Sequence, residues 1–346
     1  MLRHTRITSA SLGSFSPAEP AGRRGFTLIE FLVVIAIFAI LLAIVLPAIQ
    51  STREISRRAT CRQHLRQIGL ALHSYHDAFE CWPAGSLDSQ STVRNLPEGY
   101  HHGWLTHLLP YLDEPAAASS LDRAVSVYAA ENNVVTRRPL PMLRCPSDAG
   151  PKRSSWPQGG ALSNYAACHH DRVAAVSTTN AGAFILNRAL QSADISDGLS
   201  QTLFVGEIVR EADDLGWASG TQGSLRNAGV AINQMRALGE AATDGGRSPD
   251  PQGLMGTDDP FEMEVLGVAG DTATVASPDE RPTRPPAVPQ VVAPLHRTGG
   301  FSSAHVSGAG FLLGDSRVIF LSLSIDSRVY AQLANRSDGR LVDGNF

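Results

Sequence analysis

Nineteen consecutive residues, Phe31 to Ile49, carry no charge. A helix needs about 20 apolar residues to cross a bilayer core. The apolar part of a cleaved secretory signal runs to only about 7–15 residues and ends at a small-residue site. No Ala-x-Ala pattern closes this run; Pro47 and Gln50 stand there instead. The stretch therefore reads as a retained transmembrane helix over residues 26–50. Pro47 would cost about 3 kcal/mol inside a soluble helix, but a membrane helix tolerates it because neighbouring groups satisfy the freed carbonyl. Flanking charge does not orient the helix. Residues 1–25 carry a net +3 and residues 51–66 a net +4, so the positive-inside rule chooses neither side.

Beyond the span the chain has ample material for a core. It has 346 residues, 43% of them hydrophobic and 18% charged, which excludes wholesale disorder. A net charge of -4 gives no reason to expect a nucleic-acid partner. The four cysteines, Cys61, Cys81, Cys145 and Cys168, form no CxxC pair, so neither a zinc ribbon nor a thioredoxin-type motif is indicated.

Glu30 is the anomaly in the apolar segment. A carboxylate in a bilayer is costly and usually has a partner. A cut between Gly25 and Phe26 would place a new amino group four residues before Glu30, on the same helix face. A glutamate at a helix end that reaches the interface is the plainer explanation, and both stay open on physical grounds.

At these residues, Arg23-Arg24-Gly25-Phe26-Thr27-Leu28-Ile29-Glu30, the chain resembles the type IV prepilin signal. That signal has a basic leader, a glycine, Phe-Thr-Leu-Ile-Glu and an apolar helix. The resemblance implies cleavage after Gly25 by a prepilin peptidase, N-methylation of Phe26 by the same machinery, and an assembly role for Glu30. It implies a leader, residues 1–25, in the cytoplasm. It also implies a single pass through the inner membrane, in contact with its lipid, with the remainder in the periplasm or outside the cell. Pro47 falls where such proteins carry a helix-kinking proline.

After the span the helix continues over residues 51–80. Leu65, Ile68, Leu72, Tyr75 and Phe79 are spaced 3, 4, 3 and 4 apart, one apolar stripe that packs on a globular head. Residues 81–346 form that head. "GWLTHLLPYLDE" reads as a short helix, and "GAFIL", "TLFVGEIV" and "GAGFLLGDSRVIFLSLSID" read as strands, the last a hairpin turning at Gly314-Asp315-Ser316. A proline-rich insertion covers about residues 276–296. "CRQHLRQIGLALHSYHDAF", "LLPYLDE", "LRCPSD", "NYAAC", "ADISDGLSQTLFVGE" and His305-x9-Asp315 together resemble a large bacterial family. Its members pair a prepilin-type leader with a domain of unknown function ending in His-x9-Asp-Gly. Here Ser316 stands in place of the glycine.

Few residues suggest chemistry. His73 and His76 could share a helix face, and His101, His102 and His107 cluster, as do His169 and His170. No HExxH or Cys-His spacing completes a zinc set, so no metal and no cofactor is expected. Asp194, Asp197 and Gly198 read as a capped Asp-Gly turn rather than a calcium loop. His305 and Asp315 read as a structural pair meeting across the hairpin. Cys61 and Cys81 lie too far apart along one helix, about 27–30 Å, so elimination leaves Cys145 with Cys168 as the candidate disulfide.

The expectation is an α+β, pilin-like fold, with a long N-terminal helix packed on an antiparallel β-sheet head. The expected function is a non-enzymatic pilin-like or pseudopilin-like subunit of a type IV pilus or type II secretion-type filament. Its partners would be the prepilin peptidase/methyltransferase and other pilin-like subunits. The alternative is a membrane-tethered periplasmic binding protein or enzyme that uses the helix only as an anchor.

Overall fold

A computed structural model describes residues 26–234, 299–340 and 342. Gly25 and the rest of the leader, and the proline-rich insertion, lie outside them. Helix α1 runs from Leu28 to Phe79 with Pro47 inside it. The chain divides between Arg53 and Glu54 into two compact units.

In the first unit every described residue from Phe26 to Arg53 is exposed. Phe31, Ile35, Phe38 and Leu42 are as uncovered as their neighbours. A helix apolar on all sides with no protein around it suits hydrocarbon, and this one is long and apolar enough to cross a membrane.

In the second unit the remainder of α1 is amphipathic. Cys61, Leu65, Ile68, Gly69, Ala71 and Leu72 are buried. The stripe holds through Tyr75, which is half-buried, whereas Phe79 is 57% exposed and stacks on Tyr75. The helix ends where Glu80 adopts a left-handed φ of 55° and its N–H donates to the His76 carbonyl. Gly69 lets α1 approach the sheet closely: a Cβ there would lie 3.0 Å from both Leu312 Cδ1 and Ser316 Oγ.

Four short helices and nine strands follow among the described residues. The strands are β1 (Ser86–Leu87), β2 (Thr92–Val93), β3 (His102–Gly103), β4 (Tyr165–His170), β5 (Val176–Ser177), β6 (Leu203–Glu207), β7 (Leu225–Asn227), β8 (Gly308–Leu313) and β9 (Val318–Ser322). The helices are α2 (Trp104–Leu108), α3 (Pro115–Ser120), α4 (Asn133–Thr136) and α5 (Ser327–Ala334). Five strands make the main sheet in the order β7-β4-β6-β8-β9. The α+β class stands. The sheet is antiparallel except at one edge, where β7 runs parallel to β4, because the chain returns there through a long loop. "GAFIL" is not a strand. Ile185 and Leu186 make only isolated bridges, yet Ala183 to Leu186 are buried: the apolar run marks core, and its backbone bonds are scattered, from Phe184 N to Cys168 O of β4 and from Leu186 N to Ser177 O of β5.

Both sheet faces are covered. Tyr165, Ala167, Phe204, Val205 and Leu312 face the core built with Leu65, Ile68 and Leu72 of α1, Trp104 and Trp217. Ala166, Cys168, Ala309, Phe311 and Leu313 face the other, with Tyr330 and Leu333 of α5. Two buried faces explain why β4 and β8 read as continuous apolar runs. The α5 helix is capped by Asp326, whose Oδ1 accepts from the N–H groups of Arg328 and Val329.

The buried stripe predicts a sharp contrast between neighbours on α1. Leu65→Ala should cost about 2–5 kcal/mol, whereas Leu70→Ala, at a position 68% exposed, should stay within about 0.5 kcal/mol. Denaturant unfolding of the full chain in one detergent measures both.

Candidate functional site

The N-terminal segment is built around Thr27, the residue before the first helical turn. Glu30 Oε2 accepts from Thr27 N at 2.8 Å and from Thr27 Oγ1 at 2.9 Å, while Glu30 N donates to Thr27 Oγ1 at 3.3 Å. This is a reciprocal capping box. It satisfies backbone donors that a helix start in an apolar setting would otherwise leave orphaned. Glu30 thus has a partner within its own chain. The Thr-x-x-Glu spacing ahead of an apolar run is a signal the sequence already carried. Pro47 removes one i→i−4 bond without ending α1. At the next residue the Ala48 carbonyl accepts from the hydroxyls of both Ser51 and Thr52 at 2.9 Å.

A second constellation lies in the head, beside the second half of α1. Cys61 of α1 places its Sγ 2.9 Å from Cys145 Sγ. His305, in the approach to β8, sets Nε2 3.7 Å from Cys145 Sγ and 3.8 Å from Glu207 Oε1 on β6. Its Nδ1 lies 2.5 Å from Glu54 Oε1. Glu54 Oε2 accepts from Arg57 at 2.6 Å and from Ser147 Oγ at 3.1 Å. Glu207 Oε2 accepts from Ser303 Oγ at 2.8 Å and from Gly310 N at 3.0 Å. Cys61, Cys145, Glu207 and His305 are all buried.

Burial works against the Glu54 carboxylate, but hydrogen bonds from His305, Arg57 and Ser147 outweigh it and hold the pKa at about 2. Burial likewise opposes the charged imidazole of His305, but Cys145, Glu54 and Glu207 raise its pKa to about 9. Burial pushes Glu207 up despite its donors. The hydrogen bond between the two thiols splits them, lowering Cys145 and raising Cys61.

Cys145 is held from behind. Its N–H donates to Asn164 Oδ1 at 2.8 Å. Asn164 Nδ2 donates to Asp148 Oδ2 at 2.6 Å, and Arg210 Nε donates to the same oxygen at 2.9 Å. "LRCPSD", "NYAAC" and the end of "TLFVGEIVR" therefore meet in one buried network.

Two expected pairings are corrected. His305 and Asp315 do not meet. They bracket the single strand β8 rather than the hairpin, and six residues at about 3.4 Å each set its ends roughly 20 Å apart. Asp315 instead caps the β8–β9 turn, accepting from Arg317 N and Nε. Cys145 and Cys168 are not brought together either. Alternation along β4 turns Cys168 to the α5 face, where its Sγ contacts the Ala334 carbonyl, while Cys145 meets Cys61. All four thiols are unbonded. Ser316 has φ 67°, the left-handed region that glycine adopts without strain. Among the other described histidines, His101 Nδ1 meets Tyr128 Oη at 2.9 Å and His102 Nε2 the Val125 carbonyl at 2.9 Å. Asp194 accepts from Gln191 N in a capping box, as a capped turn requires, whereas Asp197 binds the N–H groups of the distant Asp338 and Gly339.

A family described as "Protein of unknown function (DUF1559)" matches residues 50–328, which hold the whole buried constellation. The chain belongs to this family. The prokaryotic N-terminal methylation motif matches residues 20–46, so this member of the family is a membrane-anchored protein with a prepilin-type N-terminus. No curated protein and no solved structure matches it.

The network behind Cys145 yields a pH-dependent prediction. Burial disfavours the Asp148 carboxylate, but Arg210, Asn164 and two backbone N–H groups lower its pKa below 3.8. A depressed carboxylate contributes stability above its unfolded pKa and loses it as pH falls through the folded one. Asp148→Ala should cost about 3–5 kcal/mol at pH 7, because it strands buried Arg210. The gap to wild type should narrow below about pH 4, as read by unfolding across pH.

Proposed function

We propose that the chain is a pilin-like or pseudopilin-like subunit of a type IV pilus or type II secretion-type filament, and that it acts by packing rather than catalysis. The observation that carries this reading is a prepilin-type methylation motif joined to a helix that is apolar on every side and bare of protein. Such a surface can be covered by lipid before assembly and by equivalent helices of other subunits afterwards. On this reading the helix makes a single pass through the inner membrane, with residues 1–25 in the cytoplasm and the head in the periplasm or outside the cell. Prepilin peptidase cuts after Gly25, and Phe26 becomes the methylated N-terminus. Glu30, already bonded to the Thr27 N–H, lies within reach of that new amine or of a neighbour's.

A second reading is a membrane-tethered extracytoplasmic binding protein or enzyme. What favours it is the buried group of two thiols, an imidazole and the Glu207 carboxylate, with half-buried Glu54 beside it, which a purely packing subunit does not need.

Intact mass and N-terminal sequencing of protein from native membranes test the first reading. A chain beginning at N-methyl-Phe26 is expected, and retention of residues 1–25 would overturn the proposal. Glu30→Ala should abolish co-purification with sheared surface filaments or secretion pseudopili while leaving the protein in the membrane. Unchanged incorporation would favour the tethered protein.

A further inference from the structure

We propose that Cys61, Cys145, His305 and Glu207 form a binding site for one divalent cation of the zinc type, which ties α1 to the sheet of the head. Cys61, Cys145 and His305 each offer a ligand atom, all within 4.8 Å of one another. Glu207 holds a carboxylate oxygen 3.8 Å from His305 Nε2, outside that group of three, so it would supply the fourth ligand by turning its side chain toward the sulfurs. Two sulfurs, one imidazole nitrogen and that oxygen would then complete a tetrahedral donor set. Its softness selects zinc over calcium or magnesium.

The atoms that would not bind the ion are already occupied. His305 Nδ1 is taken by Glu54 Oε1, which turns Nε2 toward the sulfurs, the carboxylate–histidine support usual behind a bound metal. Glu54 is itself fixed by Arg57 and Ser147. Glu207 Oε2 is taken by Ser303 and Gly310, which leaves Oε1 for the ion.

The sulfur spacing does not decide the matter alone. At 2.9 Å it lies between a disulfide bond, about 2.05 Å, and the roughly 3.8 Å that two Zn–S bonds of about 2.3 Å subtend in a tetrahedron. The imidazole and the carboxylate decide it. A disulfide would use the sulfurs only and leave His305 Nε2 and Glu207 Oε1 facing a neutral bond. A cation uses all four and offsets the burial of anionic groups. On binding, the two thiols and the charged His305 imidazole, at Nε2, release their protons to solvent as sulfur–metal and nitrogen–metal bonds form, and no oxidation is involved. This site exists whether or not the anchored chain assembles into a filament.

The test uses the full chain in detergent, purified without chelator. Elemental analysis should find about one zinc per chain. Chelation should lower the melting temperature and open Cys61 and Cys145 to alkylation, and added Zn²⁺ should reverse both. Co²⁺ alone should give thiolate-to-cobalt absorption with tetrahedral d–d bands, weakened by Cys145→Ser. Glu54→Gln should weaken Zn²⁺ affinity about 10–100-fold with the far-ultraviolet spectrum retained. If a variant fails to fold, the wild-type metal content and cobalt spectrum still decide. A linked Cys61–Cys145 peptide pair in an unreduced digest, without metal, overturns the proposal. So do two reactive thiols that take up neither ion.

Discussion

The seating of Leu65, Ile68 and Leu72 in the core of the head is the contact on which the rest depends. These three side chains are fully buried, and each contributes about 1.5–3 kcal/mol of hydrophobic burial. They fix the rotation of α1 about its own axis. That rotation brings Cys61 and Glu54, seven residues apart on one face, to Cys145 and His305. It also turns Arg62 and Arg66 to solvent. Arg58 sits between, ion-paired with Glu54 at 3.4 Å and placed over the Phe320 ring.

One helix thus meets two solvents. Residues 26–53 are uncovered and, from Phe31 to Ile49, apolar all round, suited to lipid or to other helices. From Cys61 onward only a stripe is apolar, and the chain itself covers it. The capping box of Thr27 and Glu30 closes the first part by giving the N–H groups of both residues a partner. The network of Asp148, Asn164 and Arg210 closes the loop that faces the second. In both places a carboxylate does the closing by accepting several donors at once, which is also how a charge survives removal from water.

Periodicity made α1 legible in the sequence, and the strands β6, β8 and β9 were legible because their apolar runs are long and end at turn residues. The parallel edge strand β7 was not legible: three residues, Leu225–Asn227, carry no pattern, and their place is set by a long return. Helix α5 was missed for its length of eight residues, although Asp326-Ser327 is a capping signal. The prepilin segment was readable because its signal is local. The head constellation was not. Cys61 and Cys145 are 84 residues apart and Cys145 and His305 are 160 apart, so no spacing rule links them. Elimination among cysteines failed because Cys61 was weighed only against Cys81. His305 was singled out correctly but matched with the wrong carboxylate, since Asp315 follows it by one strand and not by one hairpin.

The central claim is that the second half of α1 is a core element of the head rather than a stalk beside it. Amide hydrogen exchange of the full chain in detergent micelles tests it most directly. The account predicts that residues 61–72 exchange together with β4, β6 and β8, through one cooperative opening of the head. Helix amides that exchange freely while those strands stay protected would contradict it.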